Sequence, residues 1–354
     1  MEKEFYESET YKICMPAGFK RDSRGNSYLS VPRWHQGIPA TLNRIVDVDG
    51  KPVLEAFPSW EMNAQGDPDA LQAVLGFEID ENDVMWILDQ GHIDGAPSLD
   101  GAQKIVKWDL RENKLLDVIK IPAEISDYTA SFLNDICVDN EAGYAYIADS
   151  GIFTDPLQGG LVVVNTTTNE LRRVLHQHVS TQDVADYWFE IDGARINAES
   201  PMRTGADGIA LSHDRLTLYW CPLTSRNLYC IDTALLQDFS TPDADLENAV
   251  VDLGSKGTNT DGMTADNQGR IWFTMLEGMG MGYYDPADGG MHRVVADERM
   301  IWVDTPQIDN SGYILFSVNQ LHFLNAAELD YDKPDNLFIF KAFIGKDVRS
   351  YLTA

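Results

Sequence analysis

Six stretches of this chain follow one rule: an apolar strand, a polar turn carrying Asp and usually Gly, then a second apolar strand. They are GFKRDSRGNSYLSV from Gly18, LGFEIDENDVMWILD from Leu75, NDICVDNEAGYAYIAD from Asn134, DGIALSHDRLTLYWC from Asp207, DGMTADNQGRIWFTM from Asp261 and DTPQIDNSGYILFSV from Asp304. Anchored on the turn residues Asp22, Asp80, Asp139, Ser212, Asp266 and Asp309, successive units lie 58, 59, 73, 54 and 43 residues apart, about 57 on average. Each unit continues into a second hairpin, as in KIVKWDLRENKLLDVIKIP from Lys104 or GLVVVNTTTNELRRVL from Gly160. Apolar alternation bounded by Asp, Asn and Gly is the strand-turn-strand signal, and its recurrence at a fixed period marks a repeat architecture. Four strands per unit, six units and no convincing amphipathic helix between them predict an all-β fold, a six-bladed β-propeller with four antiparallel strands per blade. A pair of sandwiches leaves six equivalent units unexplained. The expected organisation is a single domain over residues 1–354, with 1–17 as an N-terminal extension and an insertion at about 176–206 over the channel mouth.

Composition narrows the partners. With 27 basic and 56 acidic side chains the formal charge is −29, which repels phosphate backbones and anionic membrane surfaces. Nucleic-acid and membrane partners are therefore not expected, and a small-molecule ligand or substrate is. Four cysteines without a CxxC pattern, Cys14, Cys137, Cys221 and Cys230, read as buried thiols rather than a zinc site or disulfide framework. No apolar segment of signal-peptide or membrane-span type occurs, so a cytoplasmic location is expected. The oligomeric state leaves no mark in the sequence.

Register then points to chemistry. In a propeller blade the innermost strand starts at the channel mouth, five places before each turn residue here. Those positions are Ala17, Leu75, Asn134, Asp207, Asp261 and Asp304, so four consecutive blades place an amide or carboxyl at one rim. Asp before Gly also shapes ordinary turns, but four equivalent positions invite a cation or a shared proton. Asn134, Asp207, Asp261 and Asp304 are the candidate ligands of Ca²⁺ or another divalent ion, an oxygen set suited to a hard cation. Asp207 and Asp261 are the candidate catalytic acid and base. Asp89, at the end of the second strand of blade 2, and Trp188, in the insertion, are candidate ligand contacts, whereas Asp149 at the matching place in blade 3 reads as turn chemistry. No GxSxG, HExxH, P-loop or strand-linked GxGxxG occurs, and no organic cofactor is expected.

Several segments resemble the major royal jelly protein/yellow family. They include YLSVPRW (28–34), GIPATLN (37–43), WILDQG (86–91), KIVKWDL (104–110), AYIADS (145–150), DGIALS (207–212) and LYWCPLTS (218–225). The resemblance runs in order from about residue 19 to 325 and implies a six-bladed propeller, here of a bacterial-type member. Family members include dopachrome-converting enzymes and secreted salivary binders of biogenic amines. In the amine binders the ligand lies near a Thr and an Asn-x-Phe of the last blade; the matching positions are Thr305, Asn319 and Leu321, with Leu in place of the aromatic. A more distant similarity links the chain to calcium-dependent lactonases of the senescence-marker/gluconolactonase type. Asn134 and Asp261 match two of their metal ligands, Asp207 replaces an Asn, and their first-blade Glu falls at Ala17.

Three functions stay open at this point. The first is a divalent-metal-assisted hydrolase of a lactone or ester. The second is a yellow-type isomerase or tautomerase in which the carboxyls serve as acid and base without a metal. The third is a non-catalytic binder of a small amine or aromatic ligand, through Thr305, Asn319 and the inserted loop.

Overall fold

The computed structural model describes residues 15–323 and 338–352. Six antiparallel sheets strung in sequence order form the blades, five of them four-stranded meanders from inner strand A to outer strand D, and a seventh, two-stranded sheet (Glu190–Ile191 and Ala194–Arg195) lies between blades 3 and 4. Blade 1 is Phe19–Arg21, Ser27–Ser30, Leu42–Val48 and Lys51–Ala56, and blade 2 is Val74–Ile79, Val84–Asp89, Lys104–Asp109 and Lys114–Lys120. Blade 3 is Leu133–Asp139, Tyr144–Asp149, Gly160–Asn165 and Glu170–Val174; blade 4 is Ala206–Leu211, Thr217–Pro222, Asn227–Asp232 and Val251–Ser255. Blade 5 is Met263–Ala265, Ile271–Met275, Gly280–Asp285 and Gly290–Ala296, and blade 6 is Val303–Ile308, Tyr313–Val318 and Phe338–Phe343. The expected six-bladed propeller is the fold, with one difference: blade 6 shows three strands among the described residues.

The turn residue that defines the repeat is the device that builds each A–B hairpin. Asp22 Oδ1 accepts from the amides of Arg24 (3.0 Å) and Asn26 (2.8 Å), and Asp80 Oδ1 from Asn82 (2.8 Å) and Val84 (3.0 Å). Asp266 and Asp309 repeat the pattern with the residues two and four places on. A side chain that satisfies backbone donors locally substitutes for a backbone turn. In blades 2 and 5 the second carboxylate oxygen also takes an indole N–H six residues on, Trp86 to Asp80 (2.9 Å) and Trp272 to Asp266 (2.7 Å). Both indoles are buried, so the same Asp fixes the turn and anchors a core aromatic.

Apolar faces meet between blades. Trp86, Leu88 and Ile105 of blade 2 pack on Ile136, Val138 and Val162 of blade 3. Phe19 and Leu29 of blade 1 pack on Leu315 of blade 6. A hydroxyl near the end of strand B joins neighbouring blades at the rim: Ser30 donates to the Leu75 carbonyl, Ser150 to Ala206 and Ser317 to Ala17, each at 2.7 Å. The last of these joins blade 6 to blade 1, so the ring closes with a link that also joins its interior blades. A reciprocal pair, Arg21 amide to Gln307 Oε1 (2.7 Å) and Gln307 Nε2 to Arg21 carbonyl (2.9 Å), reinforces it. Ring closure by a strand from residues 1–16 falls largely outside the described residues, as does Leu337 of the C-terminal hairpin; Phe338–Phe343 serves as strand C of blade 6.

Two short helices, Thr233–Gln237 and Asp243–Ala249, interrupt blade 4 between strands C and D, where sequence periodicity gave no helix. At five and seven residues they are too short to show a 3.6-residue period. Asp232 caps the first by accepting from the Ala234 amide (2.8 Å), and Leu236 and Leu246 anchor the pair in the core. Beyond blade 6 the chain crosses the face of the A–B turns. There the Tyr351 amide donates to the Ala265 carbonyl (3.1 Å) and its ring is buried within the core shared by blades 3 to 5. Among the described residues no helix is long and apolar enough to cross a membrane. Cys137 and Cys221 are buried free thiols and Cys230 is half-buried; Cys14 lies outside the described residues.

Candidate functional site

On the face opposite the A–B turns lies a cavity of about 340 Å³. Five of the six strand-A entry positions line it: Leu75, Asn134, Asp207, Asp261 and Asp304. The sixth, Ala17, is buried beneath, packed with Leu75 and Phe132. Two backbone devices aim these side chains inward. In blades 2, 3, 4 and 6 strand A carries one extra residue at its entry, as the pairings Ala206–Pro222 then Ile209–Trp220 and Asp304–Ser317 then Gln307–Leu315 show. Such a bulge re-aims the local side chains. In blade 5 the Thr274 hydroxyl instead accepts the Asp261 amide (2.9 Å).

The glycines after the aspartates have a second role besides turn formation. A Cβ at Gly208 would lie 2.6 Å from the Asp261 carbonyl, and one at Gly262 would lie 2.7 Å from the Thr305 amide nitrogen. Each Asp-Gly therefore lets the next blade's entry backbone approach, which draws Asp207, Asp261 and Asp304 into one cluster.

All three carboxyls are buried, at 2%, 6% and 7% exposure, and their environments differ. Asp304 Oδ1 accepts from the Thr305 amide (2.6 Å) and hydroxyl (2.9 Å), and Oδ2 from Asn319 Nδ2 (3.3 Å). Burial pushes its pKa up while these donors pull against the rise. Asp261 Oδ2 accepts from the Trp302 indole N–H at 2.6 Å, and Asp207 Oδ2 from Asn134 Nδ2 at 2.8 Å. Asp207 and Asp261 come from neighbouring blades and each disfavours ionisation of the other. Burial first, then the neighbouring carboxylates, holds both well above the ordinary carboxylate range. The cluster is therefore three buried carboxyls that resist ionising together, of which Asp304 meets the most hydrogen-bond donors.

Charge compensation from the protein is scarce. The lining contains no lysine or arginine among the described residues. Its two histidines are neutral: burial lowers the pKa of His92 and brings that of His322 down to about 4. Lys20, a buried cation that acts on Asp304 electrostatically, is paired with Glu78 at 3.0 Å. Asp135, one residue from Asn134, borders the channel and keeps some accessible surface, yet protein surrounds it and desolvation pushes its carboxyl up to about 7.

The other expected site residues fall into place differently. Thr305 and Asn319 do not line the cavity; they brace Asp304 from behind, Thr305 with φ +36°. Leu321 does line it. Asp89 points away: its carboxylate accepts from the amides of Gln72, Ala73 and Gly91 and pairs with Lys104 at 3.0 Å, both side chains fully buried. Asp149 does the same in blade 3 for the amides of Phe132 and Gly151 and for Arg173. Trp188 is 47% exposed, covered by the Arg195 guanidinium at 4.7 Å, and outside the lining. The insertion bears on the site through other residues. Phe189, Ile191 and Ile196 pack on Trp302, Leu223 and Leu276, and Asn197, Met202 and Thr204 supply part of the wall.

Sequence reasoning missed the remaining wall, which is aromatic and apolar: Trp34, Phe132, Ile152 and Phe153, with His92 4.6 Å from the Phe153 ring. It also missed Trp302 and Gln90. For Gln90 the signal was available, because strand alternation sends neighbouring side chains to opposite sides, and Asp89 and Gln90 cannot both face the channel.

In this arrangement protein donors already engage several of the oxygens expected to hold a divalent ion. Asn134 presents its NH₂ to Asp207, the Trp302 N–H occupies Asp261, and Thr305 and Asn319 occupy Asp304. Among the described residues no group of three His, Cys, Asp or Glu is disposed to hold a metal.

A family model described as Major royal jelly protein matches residues 72–347. The chain belongs to the major royal jelly protein family. Among curated relatives, major royal jelly protein 3 of Apis mellifera is 25% identical over 271 residues, 73% of this chain and 46% of that protein. Protein yellow of Drosophila melanogaster is 25% identical over 325 residues, 86% of this chain and 58% of that protein. The chain thus spans about half the length of the curated relatives it matches. Among solved structures, a luciferin-regenerating enzyme aligns with TM-score 0.56 at 12% identity, over 95% of this chain and 93% of that one. A calcium-binding protein, regucalcin, of Agrobacterium tumefaciens aligns with TM-score 0.53 at 11% identity, over 99% and 97%. A gluconolactonase of Xanthomonas campestris aligns with TM-score 0.51 at 13% identity, over 87% and 84%. These structural likenesses establish the propeller fold.

Proposed function

We propose that this chain binds a small aromatic amine at the channel mouth and moves a proton on it, as an isomerase or tautomerase of yellow type. The observation that carries this reading is the buried Asp207–Asp261–Asp304 cluster, which meets no cationic side chain in the lining among the described residues. Buried carboxyls without a counter-charge are costly, and a protonated amine supplies one. The aromatic wall gives such a ligand a face to stack on and adds cation–π attraction.

The Asp207–Asp261 pair supplies the chemistry in this reading. Burial and mutual repulsion favour a state in which one of the two keeps a proton and the other is ionised. The protonated one can donate to one atom of a quinonoid ring while the ionised one accepts a proton from another. The sum is an isomerisation with no net gain or loss of protons or electrons. Trp302 holds Asp261, Asn134 holds Asp207, and Asp304 keeps the fixed negative charge that orients the amine. Metal-assisted lactone hydrolysis, the leading reading of the sequence, has less support because the donors around these oxygens leave no metal-ligand set.

The test is spectrophotometric. Wild-type protein should accelerate decay of an aminochrome that carries no carboxylate, such as the one formed from dopamine, and Asp207→Asn should abolish that acceleration while leaving the fold intact by circular dichroism. Undiminished turnover in the variant, or none in the wild type across pH 5 to 8, overturns the catalytic reading.

A further inference from the structure

Gln90 stands at the end of strand B in blade 2 and is fully buried at the cavity wall. Neither its Oε1 nor its Nε2 has a hydrogen-bond partner among the described residues. A buried amide that makes none of its hydrogen bonds is a standing cost, and cores rarely retain one without a use. Its backbone is held firmly. Asp89 before it is fixed by three amides and Lys104, its own amide donates to the Ala73 carbonyl (3.1 Å), and Gly91 after it has φ +75°. The residue is therefore held at the cavity wall by a rigid frame. In a six-bladed ring blade 2 faces blade 5, so Gln90 stands across the mouth from Asp261 and its Trp302 support.

We propose that Gln90 is a specificity-determining residue that receives a hydroxyl at the end of the ligand remote from its amine. The carboxyl cluster on blades 4 to 6 takes the cation. The amide offers one donor and one acceptor, and a hydroxyl, which also donates and accepts, satisfies both. A carboxylate at that end satisfies only the NH₂ and lies in the field of the three acids, so it is rejected. The inference rests on the amine-binding reading for the ligand's other end, and the test separates the two.

Four probes are titrated by calorimetry into wild-type protein and Gln90→Met: 4-hydroxyphenethylamine, phenethylamine, 4-ethylphenol and ethylbenzene. In the wild type the hydroxyl should strengthen binding about 10-fold or more within each pair, the effect of one well-placed buried hydrogen bond. In Gln90→Met that gain should vanish while phenethylamine binds as before. The variant, freed of an unsatisfied amide, should also melt no lower than the wild type; a clear loss of stability means the amide already has partners and overturns the assignment. A hydroxyl gain that is absent, or that survives in Gln90→Met, does so as well. If the hydroxyl gain depends on Gln90 but amines bind no better than their neutral counterparts, Gln90 keeps its role and the amine reading falls. If none of the four binds, both fall.

Discussion

Replacing Asp207 with Asn keeps the side chain's shape and removes one of three clustered charges. In the folded state Asp207 and Asp261 hold their protons more tightly than ordinary carboxyls, because burial and each other's charge disfavour ionisation. A carboxyl with a raised folded-state pKa contributes stability at low pH and loses it as pH rises through that pKa. Wild-type stability should therefore decline from pH 5 to pH 8, with Asp135, pushed up to about 7, adding to the slope. Two unit charges about 4 Å apart at an effective dielectric near 20 repel by about 4 kcal/mol. The Asn134 NH₂ that donates to Asp207 at 2.8 Å still finds an acceptor in the new amide oxygen. Urea unfolding of Asp207→Asn should thus show the smaller change at pH 5 and the larger gain, up to about 4 kcal/mol, at pH 8. Loss of stability by the same amount at both pH values refutes the reasoning, because it means that Asp207 acts through hydrogen bonds alone.

Gly208→Ala places a methyl 2.6 Å from the Asp261 carbonyl and should cost about 1–3 kcal/mol in urea unfolding, with loss of amine binding as the blades separate. An unchanged unfolding midpoint counts against a glycine-set approach. Trp302→Phe removes the 2.6 Å indole bond to Asp261 and should lower stability by about 1–3 kcal/mol; a neutral substitution means that the carboxyl does not depend on that donor. Calcium at millimolar concentration should leave the melting temperature unmoved. An upward shift equivalent to about 2.7 kcal/mol, the mark of a site held at a hundredfold excess over its dissociation constant, restores the metal reading.

The fold was legible because one residue type at one turn does the same job repeatedly. Asp80 and Asp266 each fix a hairpin and anchor a Trp six places on, so spacing alone revealed the blades. The strand-A entries were legible for the same reason, since a fixed offset from the turn fixes a place on the rim. What the offset does not carry is which donors each carboxyl meets. The pairing of Asn134 with Asp207 and of Trp302 with Asp261 spans neighbouring blades, and an amide nitrogen in place of an amide oxygen turns a metal ligand into a hydrogen-bond donor. Asp89 looked like a rim residue because strand ends favour Asp. Its alternation partner Gln90 faces the cavity, while Asp89 turns inward to Lys104. Trp188 looked like a wall residue because it sits in the long insertion, but it precedes the two short strands Glu190–Ile191 and Ala194–Arg195, so no strand alternation separates it from the buried Phe189 beside it.

The central claim, that the acid cluster awaits an organic cation, is tested most directly by proton-linked calorimetry. Phenethylamine is titrated into wild-type protein at pH 6.5 in buffers of different ionisation enthalpy. Binding of the cation should lower the proton affinity of the carboxyl cluster, so uptake of ligand should release a fraction of a proton while the Asp207–Asp261 pair keeps the one its chemistry uses, and affinity should exceed that for ethylbenzene by about 10-fold or more. Equal affinity for the amine and the hydrocarbon, with no proton exchanged, contradicts the account.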